Sequence, residues 1–132
     1  MATNSDEQKI LMLMAYLAGQ DQSLDTIKKF FDSNTPARQI TTTVNGLVRK
    51  GLLKEEHNYY YGRKSFRLAD GIFFEYLTML LKPDNRLWFN RIARTTRKLR
   101  NITVLTDVAY AIRLIQNCHT STYSSYHASF SL

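Results

Sequence analysis

The 132-residue chain has one cysteine, Cys118, and that scarcity removes several kinds of structure at once. A single thiol makes no internal disulfide and no zinc cluster, and it fits a reducing, cytoplasmic setting. No apolar run reaches the roughly 18 residues of a membrane-spanning helix, and Glu75 interrupts the best later stretch. The apolar segment 10–18 follows Asp6, Glu7 and a lone Lys9, so it lacks the basic leader of a signal peptide. No membrane partner is therefore expected.

Catalytic patterns are missing as well. His57, His119 and His127 share no metal-ligand spacing. Gly46-Leu-Val-Arg-Lys-Gly51 has the glycine spacing of a phosphate-binding loop, but Leu-Leu follows where Lys-Ser/Thr is needed. Glu55-Glu56 reads as a solvated pair in a strand, and Cys118 has no base beside it in sequence. The chain reads as a non-enzyme that asks for no cofactor and no metal.

What it does have is positive charge: a net +7 and a pI near 9.7. A basic single domain most often meets a polyanion. Residues 1–34 hold three Lys/Arg against five Asp/Glu, residues 35–70 seven against three, and residues 71–132 eight against three. The excess begins at one particular segment.

That segment is 35–70, TPARQITTTVNGLVRKGLLKEEHNYYYGRKSFRLAD. Thr35-Pro36 suits a helix N-cap and first turn: the hydroxyl accepts an orphan N–H and proline has none to leave unpaired. Ile40, Val44, Leu47, Val48 and Leu52 then recur as one buried helical stripe over 36–50, with Gly51 as the stop. Asn45-Gly46 and the three threonines 41–43 are weak helix formers, but the stripe passes through them unbroken. The opposite face carries Arg38, Gln39, Thr41, Thr42, Asn45 and Arg49, side chains that hydrogen-bond bases or phosphates. Phe66 and Leu68 alternate with Ser65 and Arg67, as a half-buried strand does. In the hairpin 57–65, Arg63 and Lys64 sit beside Gly62 at the tip, placed for phosphate contact. Of the three tyrosines 59–61, alternate ones are expected to pack on the core and one to be exposed.

Upstream, a helix over 6–19 is capped by Ser5 with Gln8 in the reciprocal position and stopped by Gly19. It is apolar nearly all round, so it should be a buried strut. A second helix starts at 21–23 and carries Leu24, Ile27, Phe30 and Phe31, with 32–34 as a polar turn. Downstream, helices are expected over 71–82 (closed by Pro83), 84–100 and 102–118, with Asn101 near the last junction. Residues 119–132 are polar and without period, the pattern of a flexible tail. The fifth helix holds Arg86, Arg91, Arg94, Arg97, Lys98 and Arg100 without an acid, and Leu87, Trp88, Ile92 and Leu99 as an apolar seam. Its basic side is expected to extend a DNA footprint through Arg91 and Arg94; tracking RNA or lying on an anionic surface are other uses of such a face.

Three helices, a tight turn between the second and third, then a hairpin describe a winged helix-turn-helix. Residues 24–68 resemble regulators of the MarR and PadR type, in which a helix ending Leu-x-x-x-Gly-Leu leads into the wing. Here the pattern is Leu47-Val-Arg-Lys-Gly51-Leu52. That resemblance implies residues 37–39, 41, 42 and 45 in the major groove and C-terminal helices in a dimer. SFRLADGIFFEYLTMLLKPDNRLWF, after the wing, is similar to the winged-helix segment that follows the core of archaeal and bacterial P-loop ATPases, although the proline of its Pro-Phe-Phe is replaced here by Gly71-Ile72.

The expectation is a mainly α fold with a small β-hairpin wing: a winged helix-turn-helix at 1–70, a helical extension at 71–118 and the tail. Its function is expected to be sequence-specific binding of double-stranded DNA, as a homodimeric transcriptional regulator. A protein-interaction module of a larger assembly, and a replication or maintenance protein of a mobile element, are the alternatives.

Overall fold

Helix α1 (Ser5–Tyr16) is apolar on almost every side, and the rest of the chain is arranged to cover it. Ile10, Leu11, Met12, Leu13, Met14 and Ala15 are all buried, which a helix edge-on to solvent could not achieve. The computed structural model describes residues 3–17, 21–58, 60, 62–99, 108–109, 111–113 and 116. The expected stop at Gly19 lies outside them.

The α1 cap sits one residue earlier than expected. Asn4 Oδ1 accepts from the Glu7 backbone N–H at 2.8 Å, and Glu7 Oε1 accepts from the Asn4 N–H at 3.0 Å. Asn4 and Glu7 have the same spacing as Ser5 and Gln8, but a carboxylate is the stronger acceptor. Glu7 also has a second partner that Gln8 lacks. Lys50, at the end of α3, places Nζ 2.7 and 2.9 Å from its two carboxylate oxygens.

Ahead of α2 (Leu24–Lys28) lies a two-residue strand, β1 (Gln22–Ser23), where sequence periodicity suggested the helix had begun. Ser23 is the N-cap, its Oγ accepting from Thr26 N–H, and its extended backbone lets the preceding residue pair with the sheet. After Lys28 the chain tightens into successive i→i+3 turns that seat Phe30 wholly inside the core. In the following turn Asp32 Oδ1 accepts from Asn34 N–H and from the Thr35 hydroxyl. The Thr35 hydroxyl is thus turned away from the next helix. Pro36 takes the N-cap position of α3 (Ala37–Arg49), with no side-chain cap bond, in place of the expected Thr35 cap.

Helix α3 buries Ile40, Val44 and Leu47, with Val48 and Leu52 partly covered, as its stripe predicted. The Thr41 and Thr43 hydroxyls donate to the carbonyls of Ala37 and Gln39, which accommodates these residues inside a helix. Gly51 leaves α3 with φ 77°, a conformation that favours glycine. The hairpin follows: β2 (Leu53–Asn58) and β3 (Arg63–Leu68) pair antiparallel, with Leu53 opposite Leu68 and Asn58 opposite Arg63. β1 lies on the other side of β3, Gln22 opposite Phe66, giving the order β1-β3-β2. Leu53 and Phe66 face the core.

Helix α4 (Phe73–Leu80) packs along α1 through Tyr76, Leu77 and Leu80. A 3-10 turn at Pro83–Asn85 leads into α5 (Arg86–Lys98). Trp88 anchors α5: its indole N–H donates to Lys9 O at 3.0 Å, its ring meets Phe31 at 5.1 Å, and Lys9 Nζ lies 5.7 Å from its centroid. Positions 108–109, 111–113 and 116 are helical, within the expected sixth helix, and Val108 is buried. The bounds of that helix, Asn101 and the expected tail at 119–132 lie outside the described residues. The whole is mainly helical with a small three-stranded antiparallel sheet.

Glu7 is only 5% exposed, and the bonds from Lys50 and the Asn4 backbone hold its carboxyl below the usual value of 4.5, against the opposing effect of burial. A depressed folded-state value means its stabilisation is present above that pH and is lost as pH falls through the lower value. Glu7→Gln is therefore expected to flatten the fall in melting temperature on acidification below about pH 4.5. Lys50→Met, which strands the carboxylate, should cost about 2 kcal/mol in urea unfolding at neutral pH. Identical acid limbs for wild type and Glu7→Gln would refute the role of the pair.

Candidate nucleic-acid interface

Three of the four sides of α3 are used by the protein. Ile40, Val44 and Leu47 point into the core. Gln39, Thr43 and Lys50 face α1: Gln39 Nε2 donates to Asp6 Oδ2 at 2.7 Å, and Lys50 bonds Glu7. Thr41 and Asn45 face the sheet. Arg38, Thr42, Asn45 and Arg49 are left exposed, and neither arginine enters an ion pair among the described residues. No acid lies anywhere on this helix.

Between α3, the start of α2 and β3 is an open groove of about 400 Å³. Leu24 and Phe66 form its apolar floor. Thr41 and Asn45 form one wall, and Arg63 and Lys64 the other. Four of the residues singled out from sequence thus meet around one concavity. Ser23 and Asp25 also line it, and neither was singled out from sequence: Ser23 comes there on a strand only two residues long, and Asp25 on the first turn of α2. Arg63 and Lys64 occupy the first two positions of β3 rather than the loop itself, and both are exposed. Lys64 Nζ lies 3.7 Å from Glu55, and Arg67 lies 3.5 Å from Glu56. Contacts so exposed contribute little to stability and leave the cations available. At the tip Gly62 has φ 61° and Tyr60 is 96% exposed; Tyr59 and Tyr61 lie outside the described residues.

The basic face of α5 divides into two parts. Arg91, expected to contact DNA, is occupied within the protein: its Nε donates to Phe30 O at 3.0 Å, and Nη1 lies 3.5 Å from Asp32. It braces α5 against the turn that precedes α3. Arg94, along with Arg86, Arg97 and Lys98, is exposed and makes no ion pair among the described residues. Arg100 lies outside them. The inward stripe is Trp88, Ile92 and Thr96, whose hydroxyl donates to Ile92 O, followed by the partly buried Leu99; Leu87, expected in the apolar seam, is 85% exposed, because it falls one residue off that stripe. Helix α4, expected to contribute to a dimer contact, spends Tyr76, Leu77 and Leu80 on α1, although Phe74 is 60% exposed.

Among the described residues no group of three or more His, Cys, Asp or Glu could hold a metal, and no helix is long and apolar enough to cross a membrane. Compared with protein-family models, curated proteins and solved structures, the chain finds no match.

The two arginines of α5 separate experimentally. Arg91→Met is expected to lower stability by about 1–2 kcal/mol, since it leaves the Phe30 carbonyl without its donor and removes the cation beside Asp32. Arg94→Gln should stay within about 0.5 kcal/mol of wild type. Equal losses in chemical denaturation would remove the distinction.

Proposed function

We propose that this protein binds double-stranded DNA sequence-specifically as a winged helix-turn-helix, with α3 in the major groove and the β2–β3 hairpin along the phosphates. The observation that carries this reading is the outer face of α3, acid-free and bearing Arg38, Thr42, Asn45 and Arg49, beside a groove walled by Arg63 and Lys64. The major groove is about 12 Å wide and admits one helix. Arginine suits the O6/N7 edge of guanine, asparagine the N6/N7 edge of adenine, and threonine either a phosphate or a thymine methyl. Lysine and arginine on the hairpin supply the sequence-independent attraction to phosphates. Arg94, Arg97 and Lys98 on α5 add cations to the same molecule, whereas Arg91 belongs to its framework.

The same reading makes the protein a transcriptional regulator acting as a dimer, whose two α3 helices address half-sites roughly one helical turn apart. Exposed Phe74 and Leu87 are apolar surface for such contacts, since α4 otherwise serves the core.

Selection from a random duplex library at about 150 mM salt, where phosphate attraction alone is weakened, tests the reading. The expected result is an enriched inverted repeat whose spacing reports the dimer. Arg38→Ala should cost about 1–3 kcal/mol on the selected site and relax one base position. Lys64→Ala should weaken all duplexes alike and reduce the salt slope by about one. No enrichment would overturn sequence-specific binding and point to a protein partner instead.

A further inference from the structure

Asp6 and Gln39 lie 33 positions apart in sequence and are joined by a 2.7 Å bond from the glutamine amide nitrogen to the aspartate Oδ2. An exposed glutamine ordinarily offers its oxygen or its nitrogen with equal ease, since the amide flips freely. Here a flip would bring Oε1 against a carboxylate, which accepts and does not donate. The bond is charge-assisted, and so at the strong end of its kind. The carboxylate is also held in place: Asp6 lies in the first turn of α1, next to Glu7, whose cap and ion pair fix that turn.

From this geometry we infer that Asp6 is a positioning residue that makes Gln39 a reader of amino-bearing bases. The inference rests on the proposed DNA binding through α3. With one Nε2 hydrogen given to Asp6 and the amide orientation thereby set, Gln39 offers a base its Oε1 acceptor and the second Nε2 hydrogen in a fixed order. In the major groove adenine and cytosine present amino groups, N6 and N4, where guanine and thymine present the acceptors O6 and O4. An acceptor fixed in advance bonds the first two and opposes the last two. Gln39 is the third residue of α3, at the end of the helix that enters the groove in this class of docking. Its side chain is exposed at the edge of α3 that faces α1. Fixing the amide beforehand also removes part of the ordering cost of binding.

The test is duplex selection with wild type, Gln39→Ala and Asp6→Asn, alongside thermal melting of each. Wild type should prefer adenine or cytosine at one position of each half-site by about tenfold or more. Gln39→Ala should lose that preference. Asp6→Asn, whose amide donates as well as accepts, permits both orientations of Gln39; the preference at that position should fall to about twofold while the rest of the site is kept. Melting temperature is expected to be unchanged in Asp6→Asn, because Asn4 and Glu7 form the cap. An Asp6→Asn protein that keeps the wild-type preference where Gln39→Ala loses it would overturn the positioning role. A Gln39→Ala profile identical to wild type would overturn the reading role of Gln39. A wild type that enriches no site would overturn the DNA reading and this inference with it.

Discussion

Glu7 joins the beginning of one helix to the end of another, and the arrangement of the remaining elements depends on that junction. Its side chain closes the α1 cap, accepting from the Asn4 backbone, and takes Lys50 from the last turn of α3 on both oxygens. A buried carboxylate without partners would be strongly unfavourable, so cap and ion pair must be satisfied together. The observed placement of α1 on α3 achieves this. The apolar surface of α1 then decides what else must gather round it: the α3 stripe, Phe66 of the sheet, and α4. The hydrophobic effect supplies the driving force but has no direction. Glu7 and Lys50 supply the direction.

Because one flank of α3 is committed to α1 and another to the sheet, its remaining face is left to solvent along the full helix. The same economy operates in α5: Trp88, of the expected apolar seam, also bonds Lys9 O near the start of α1, and Arg91, which looks available in sequence, is tied to Phe30 O in the turn after α2. One acceptor lies in α1 and the other in the turn between α2 and α3. The extension is thus braced against the framework that holds α3, and the orientation of α3 relative to the groove is fixed from several sides.

Periodicity made the interior legible. The 40-44-47 stripe passes through Asn45-Gly46 and three threonines, residues of poor helix propensity, and the structure is helical there because burial of that stripe outweighs a cost of roughly 1 kcal/mol per unfavourable residue. The hairpin and the apolar strut were legible for the same reason. What sequence could not show were choices between near-equivalent partners. Asn4 and Ser5 are both good caps, and Lys50, 43 residues away, favours the one that brings Glu7 into register. Thr35 is a good cap too, but Asp32 captures its hydroxyl. At the candidate site, spacing along α3 identified Thr41 and Asn45, and the hairpin pattern identified Arg63 and Lys64. Their meeting at one groove, the two-residue strand that adds Ser23, and the capture of Arg91 by a carbonyl all depend on contacts between distant segments.

The charge distribution makes the same point in energetic terms. Among the described residues Lys50, Lys54, Lys64, Arg67 and Arg91 have acidic partners, while Arg38, Arg49, Arg63 and Arg94 have none. Except for Lys50, the paired cations meet exposed carboxylates, and such contacts contribute little and are screened by salt. These acids therefore orient side chains more than they stabilise the fold. A surface whose charge served solubility alone would gain nothing from keeping one helix face free of acids. A surface that meets phosphates gains directly, since each unopposed cation displaces a counterion and each acid would repel the ligand. Two acids do lie beside α3: Asp25, exposed at the groove, and Asp6, whose carboxylate is engaged by an amide. An acid at that edge reduces attraction to phosphate; in return Asp6 meets the positive end of the α1 dipole and sets the direction of the Gln39 amide.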